Sequence, residues 1–401
     1  MMLDKSDRSG FSERKPHVVL LNVGRVIEAK GGTEKVFCDM ANALCERGYD
    51  VSAVFCDPKE GVPEFCFKKE VRLLNAYKPP KYPFLYKNPW RNLFCWRLDK
   101  RERKLLRNTL VLRWWAECIK EVWMKLPKAD VLVAYQPETA WIAREYLNLN
   151  VPLLLMLHGN PLHLFGPETF DLFEEAVASS DVIQVLMPEY IEEVLDRMPG
   201  ANVIHIPNVA PYYNSKGDLR NKVIITAARV DDDKRPALLV ESFALIKDRF
   251  PDWKCVWYGE RLKPSLDKRL EGLVEQYGLQ DRVLFKGKTE NVEEKLQEAS
   301  IFAFPSAYEG FSLALAEAFA MGLPAVGCTD CPSVNSLIRD GENGALADPT
   351  PESYANALAK LMEDQGLREK CGAQARMDMK QYSADAVWEA WDRLLRSQIL
   401  S

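Results

Sequence analysis

Residues 302–324 read FAFPSAYEGFSLALAEAFAMGLP. The apolar run closing at Phe304 has the length of a buried strand, and Pro305 stops it. A short loop then holds Glu309, Gly310 and Phe311. An Ala- and Leu-rich helix follows from about Ser312 to Met321, where Gly322 and Pro324 end it as helix C-termini are commonly ended. Strand, loop and helix in this order form the unit from which helix-covered parallel sheets are built.

The same rhythm extends outward in both directions. Apolar runs at 223–227, 254–258, 283–286, 301–304 and 324–327 alternate with helical stretches, the clearest at 236–249 with Pro236 in its first turn. A further series precedes it, with runs at 18–23, 51–56, 130–134, 151–157, 182–186 and 203–206, and a helix at 33–47 that ends at Gly48. Continuous Val, Ile and Leu, without in–out alternation, mark strands covered on both faces, hence parallel sheets. The stretch from Ile206-Pro207-Asn208 to Gly217 has no periodicity and reads as a linker. The expectation is α/β twice over: two doubly wound Rossmann-like domains, 1–206 and 207–381, facing a central cleft. The last helix, within 382–401, carries Val387, Trp388, Trp391, Leu394 and Leu395 and is expected to pack back on the first domain.

Composition excludes several classes. The chain has 401 residues, 47% apolar and 28% charged, which is ample for two cores and wrong for disorder. Its net charge of −5 gives no whole-chain nucleic-acid signature. No apolar run approaches the roughly 18 residues of a membrane span, and the polar N-terminus lacks the apolar segment of a secretory signal. Ten scattered cysteines fit free thiols in a reducing, cytoplasmic compartment. Cys328 and Cys331 form a lone CxxC without the second ligand pair that a structural zinc needs.

Ligands of open α/β sheets bind beyond the carboxyl ends of the strands, so the residues just after strands carry the chemistry. After the run at 223–227 comes ARVDDDKRP, in which Arg229 and Lys234 stand before a helix N-terminus, an arrangement suited to a phosphate. The Asp run suggests a metal-binding DxD, but its place at a helix start favours capping. In the opening stretch, the N–H groups of Gly310, Phe311 and Ser312 lie at a helix N-terminus and suit a diphosphate. Glu309 and Glu317 offer carboxylates to sugar hydroxyls. Taken singly, each is an ordinary surface or structural residue, His158 included.

Together they form a constellation. Glu309 and Glu317 stand as E-x7-E, preceded by the Arg229-x4-Lys234 loop and by a buried strand ending in His158-Gly159-Asn160. Gly31-Gly32 precedes the first helix, Ile206-Pro207-Asn208 enters the second domain, Gly259-Glu260 forms a turn, and a Trp-bearing helix closes the chain. The set resembles the retaining glycosyltransferases of family four, which have the two-domain GT-B fold. The resemblance implies that Arg229 and Lys234 neutralise a departing diphosphate. It also implies that Glu309 faces the donor sugar, Glu317 the ribose, and His158 the sugar near its reacting carbon. Gly31 and Gly32 would let backbone approach the phosphates. Two positions depart from the family pattern: Ala228 and Ser312 stand where glycine is usual. Neither removes a charge, though Ser312 bears on sugar choice.

The implied function is sugar transfer from a nucleotide diphosphate donor, UDP-linked by family usage, to a glycan or lipid-linked acceptor in surface polysaccharide or lipopolysaccharide assembly. Neither a metal nor another cofactor is expected, since two cations and a helix tip can carry the leaving-group charge. The alternatives are a nucleotide-sugar epimerase or phosphorylase on the same fold, and an inactive scaffold. Residues 78–128 hold 14 Lys and Arg against four Asp and Glu, a local net of +10, with five tryptophans. A stripe of Leu105, Thr109, Leu112, Ala116, Ile119, Trp123 and Leu126 fits two uses equally: resting on an anionic membrane, at its inner face, or packing on the first sheet. No nucleic-acid motif accompanies the charge.

Overall fold

The computed structural model describes residues 14–29, 31–80, 100–165 and 172–400. Among these residues, thirteen strands form two parallel sheets. The first holds β1 (His17–Asn22), β2 (Asp50–Phe55), β3 (Arg72–Asn75), β4 (Val131–Ala134), β5 (Leu153–Met156), β6 (Val182–Val185) and β7 (Val203–His205), in the order β3-β2-β1-β4-β5-β6-β7. The second holds β8 (Val223–Ala227), β9 (Lys254–Tyr258), β10 (Val283–Gly287), β11 (Ile301–Phe304), β12 (Ala325–Cys328) and β13 (Gly344–Ala347), in the order β10-β9-β8-β11-β12-β13. This is the doubly wound, two-lobed architecture that the run pattern implies.

The central strands are buried on both faces. Every residue of β1, β4, β5, β6, β11 and β12 is buried. That is why they read as unbroken apolar runs. Two strands escape such a reading. The segment RLLN of β3 has exposed ends at Arg72 and Asn75, and GALA of β13 has no β-branched residue to signal a strand. Both lie at sheet edges.

Strand order reverses direction between β1 and β4 and again between β8 and β11. Connections leave to opposite sides there, so a crevice opens beyond the strand ends. In the second sheet, the loops at that point are 228–235 and 305–312, the two segments singled out for phosphate chemistry.

The closing helix, Ala384–Leu400, returns to the first lobe. Val387, Trp388, Trp391 and Leu395 join the core cluster that includes Val18, Leu20 and Val133 of that sheet. Tyr49 Oη donates to Asp392 Oδ1 at 2.8 Å and fixes the helix's position. The helix Lys100–Trp123 spans most of the apolar stripe read within the basic stretch. Leu112, Ala116 and Ile119 are buried in the core cluster that includes Leu132, Ala134 and Leu155 of the first sheet, with Trp123 and Leu126 packed against it. Over that part the apolar face is covered by protein, which is the packing alternative. Trp90 and Trp96, in the same stretch, lie outside the described residues.

Candidate active site

The loop after β8 folds on its own acidic run. Asp231 caps a single 3-10 turn, Asp232–Lys234, by accepting the Lys234 N–H at 3.2 Å. Asp232 pairs with Lys263 at 2.6 Å. The carbonyl of Asp233 accepts the Ala307 N–H at 2.7 Å, which ties this loop to the one after β11. Arg235 takes a left-handed conformation (φ 47°) and is held by Asp330. Pro236 then opens the helix Pro236–Ile246. The Asp run thus builds the loop.

Lys234 is thereby aimed at the neighbouring loop. Its Nζ donates to Glu309 Oε1 at 2.6 Å and to Tyr308 O at 3.1 Å. The two side chains of this pair are only 13% and 14% exposed. An ammonium has three N–H groups, so one is left for a ligand. Arg229 is different: it is 62% exposed and touches Asp231 only at 3.4 Å, which leaves most of its guanidinium donors open. Gly259 packs so closely on this loop that a Cβ would lie 1.7 Å from Ala228 O. The same carbonyl accepts Trp257 Nε1 at 2.7 Å.

The loop after β11 ends at Ser312, whose hydroxyl accepts the Leu315 N–H at 3.2 Å and caps the helix Leu313–Met321. Gly322, at φ 81°, terminates it. Phe311 is buried, edge-on to Tyr382, so it offers the site only its backbone. Among the described residues no acceptor pairs with the N–H groups of Gly310, Phe311, Ser312 or Leu313. They stand at the positive end of the helix dipole, where an anion is favoured.

Glu317 lies one turn further on and makes no hydrogen bond or ion pair among the described residues. Burial raises its carboxyl to about 7, an effect partly opposed by Lys35 of the first lobe. It therefore sits apart from Glu309, whose carboxylate is engaged by Lys234.

The first lobe supplies the opposite wall. His158 follows β5, its ring stacked on Tyr135 at 5.2 Å. Its Nε2 is buried without a partner among the described residues. Burial lowers its pKa to about 4, so the ring is neutral near pH 7. A Cβ on Gly310 would lie 2.3 Å from His158 O, so only glycine permits this approach of the lobes. Asn160 N–H donates to Tyr308 Oη at 3.1 Å across the same contact. Gly31 is the N-cap of the helix Gly32–Glu46; the Glu34 carboxylate folds over it, 2.0 Å from where a Cβ would be. Gly32 faces Leu313, with 3.1 Å between its would-be Cβ and Leu313 Cδ1, so two helix N-termini meet at the crevice.

Two features had no motif to announce them. Tyr190, fully buried in the first lobe, donates to the carbonyls of Glu309 and Gly310. A cavity of about 350 Å³ beside His158 is lined by Thr33, Tyr135, Gln136, Glu138 and Phe173. Burial also raises the Glu138 carboxyl.

Known proteins resemble the chain both in sequence and in fold. A Haemophilus influenzae protein described as an uncharacterized glycosyltransferase is 25% identical over 94% of this chain and 98% of its own length. A Campylobacter jejuni enzyme, N-acetylgalactosamine-N,N'-diacetylbacillosaminyl-diphospho-undecaprenol 4-alpha-N-acetylgalactosaminyltransferase, is 32% identical over 48% of this chain and 51% of its own. An exopolysaccharide phosphotransferase of Streptomyces coelicolor is 30% identical over 59% of this chain. The match spans only 24% of that protein's length. Among solved structures, sucrose-phosphate synthase from Thermosynechococcus elongatus superposes with TM-score 0.74 at 18% identity, over 96% of this chain and 99% of that one. The Anabaena protein HepE, solved with UDP and glucose, superposes with TM-score 0.68 at 17% identity, over 95% and 99%. The model of the glycosyl transferases group 1 matches residues 214–378, the lobe that carries Arg229, Lys234, Glu309 and Glu317. Residues 214–378 of the second lobe thus match the group 1 glycosyl transferases, within a chain of GT-B fold.

Proposed function

We propose that the chain is a retaining glycosyltransferase. It moves a sugar from a nucleotide diphosphate donor, UDP-linked, to a glycan or lipid-linked acceptor in surface polysaccharide or lipopolysaccharide assembly. One observation carries the reading: the Lys234 ammonium, with a donor to spare, stands beside Glu309 and the unpaired amides of residues 310–313 at the point where strand order reverses. That is a diphosphate cradle with a sugar-binding carboxylate at its edge. The names of the Campylobacter and Haemophilus relatives support transfer, and the Campylobacter name supports a lipid-linked acceptor. UDP in the structurally similar HepE supports the choice of base.

The residues divide the work. Breaking the sugar–phosphate bond builds negative charge on the diphosphate and positive charge on the sugar. Lys234, Arg229 and the helix tip are fixed in advance around the departing charge, the largest stabilisation such a site can supply. Glu317 takes the ribose hydroxyls, and Glu309 the sugar. The uncharged His158 ring faces the sugar without adding a cation beside the oxocarbenium-like carbon. The acceptor oxygen bonds to the anomeric carbon on the face that the diphosphate leaves, and a phosphate oxygen takes the hydroxyl proton. The products are a glycoside of unchanged anomeric configuration and a nucleoside diphosphate. The cavity beside His158 holds the acceptor, with Glu138 bonded to its hydroxyls, so 1–206 is the acceptor lobe and 207–381 the donor lobe. No metal or other cofactor enters these steps.

No helix of the described residues is long and apolar enough to cross a membrane. A cytoplasmic enzyme serving a lipid-linked acceptor would meet the inner membrane face through charges of the 78–128 stretch. Vesicle flotation tests this: reversing Arg101, Arg103 and Lys104 should weaken binding to anionic vesicles, and unchanged flotation rejects it. For the reaction, a panel of nucleotide sugars is screened by thermal shift, and the products of the stabilising donor are then resolved. Nucleoside diphosphate released only when acceptor is present supports transfer; an isomerised donor overturns it. Proton NMR of the product's anomeric centre decides retention.

A further inference from the structure

Two carbonyls of the donor loop are held from the other lobe. Tyr190 opens the helix Tyr190–Arg197, which follows β6. Its Oη lies 3.1 Å from both Glu309 O and Gly310 O, and the Ser333 hydroxyl donates to Glu309 O at 3.2 Å. One phenolic proton is thus shared between neighbouring carbonyls.

These bonds decide where the chain becomes helical. In a continuing helix the Glu309 carbonyl would accept the Leu313 N–H, and the Gly310 carbonyl the Ala314 N–H. Neither bond is present among the described residues. In a planar trans peptide the N–H points opposite to the C=O. With the Glu309 carbonyl turned toward Tyr190 and Ser333, the Gly310 N–H points the other way. With the Gly310 carbonyl turned to Tyr190, so does the Phe311 N–H. Both N–H groups are left without an acceptor among the described residues. Without these hydroxyls, the two peptides would be free to turn over or to join the helix, and the amides would be lost to a ligand.

We propose that Tyr190 is a positioning residue that sets the orientation of the diphosphate-binding amides. Because the first lobe carries it, the donor cradle is complete only while the lobes are apposed. This rests on the reading that a diphosphate lies at residues 310–313.

The test compares wild type with Tyr190→Phe and Ser333→Ala. Nucleoside diphosphate affinity is measured by calorimetry, kcat and donor KM at saturating acceptor, and melting temperature alongside. The phenylalanine keeps the ring in its buried site and removes only the hydroxyl. Tyr190→Phe is expected to lower kcat roughly tenfold or more, with a smaller change in donor KM, as for loss of an oriented transition-state donor. Ser333→Ala is expected to lower it by about threefold, the scale of one hydrogen bond. A Tyr190→Phe protein that melts like wild type and turns over at the wild-type rate overturns the proposal. If Tyr190→Phe does not fold, Ser333→Ala decides: an unchanged kcat overturns the proposal, and a loss of the stated size upholds it. Failure of the underlying reading looks different, because then wild type itself binds no nucleoside diphosphate.

Discussion

At the scale of single residues, the site is organised by which charges are already paired. Lys234 is nearly buried against Glu309, whereas Arg229 stands open at the rim. Replacing Lys234 by Ala removes the inner cation and leaves Glu309 an unpaired, nearly buried carboxylate. Its kcat should fall by about 10²–10³, the cost of losing one preorganised oxyanion donor, as read from steady-state rates at saturating donor. Arg229→Ala should cost less, because water screens an exposed charge. Glu317 gives a pH prediction. Its carboxyl, raised from 4.5 to about 7, is ionised above that value and protonated below it. A neutral carboxyl accepts fewer bonds from a diol, so donor KM should rise as pH falls through about 7, and Glu317→Gln should flatten that rise. The stability effect has the opposite sense. A raised carboxyl favours the fold fully below its ordinary value of 4.5, and the contribution is lost as pH rises through about 7. Melting curves of Glu317→Gln against wild type should therefore converge at the acid end and separate in the variant's favour near neutrality. The sequence showed these charges because Arg229, Lys234 and Glu309 lie just after strands and Glu317 stands at a motif spacing from Glu309. It did not show that Lys234 engages Glu309 while Glu317 makes no ion pair among the described residues, since that depends on how the loops fold against one another.

At the scale of elements, the strands and the Trp-bearing helix were legible because burial leaves a mark on composition. Strands such as β1 and β5 are covered on both faces and can hold almost nothing polar in their interiors. The edge strand β3 is under no such demand, and the largely buried GALA segment of β13 is built from residues without strand preference, so neither leaves a trace. The helix Ala384–Leu400 shows how much a single face can contribute. Trp391 is 2% exposed and Trp388 8%. Trp391→Ala should destabilise the protein by about 3–5 kcal/mol, the usual cost of emptying a large aromatic site, measured by chemical denaturation. The turn at Gly259 is constrained by backbone alone. A Cβ there meets the Ala228 carbonyl, which no rotamer can relieve. Gly259→Ala should therefore displace the loop that carries Arg229 and lower melting temperature and kcat/KM together. A variant as active and as stable as wild type would show that the loop has room to shift.

At the scale of the whole molecule, the lobes meet where the chemistry is placed. Gly310 rests on the His158 backbone, Gly32 faces Leu313, and Tyr190 reaches the carbonyls of the donor loop. None of this was legible along the chain. Tyr190 and Tyr308 belong to no spacing pattern, and their partners lie more than a hundred residues away in sequence. The glycines were legible as glycines, but the reason for Gly310 is a contact between lobes. Gly310→Ala should hold the lobes apart, leave the melting of each core little changed, and abolish most turnover, as checked by scattering profiles together with rates. The account depends on a diphosphate seated between Lys234 and the amides of residues 310–313. Calorimetric titration of UDP into wild type and into Lys234→Ala tests it most directly. One binding site in wild type, weakened roughly tenfold or more in the variant, is the predicted result; equal affinities, or no binding to wild type at millimolar UDP, would contradict it.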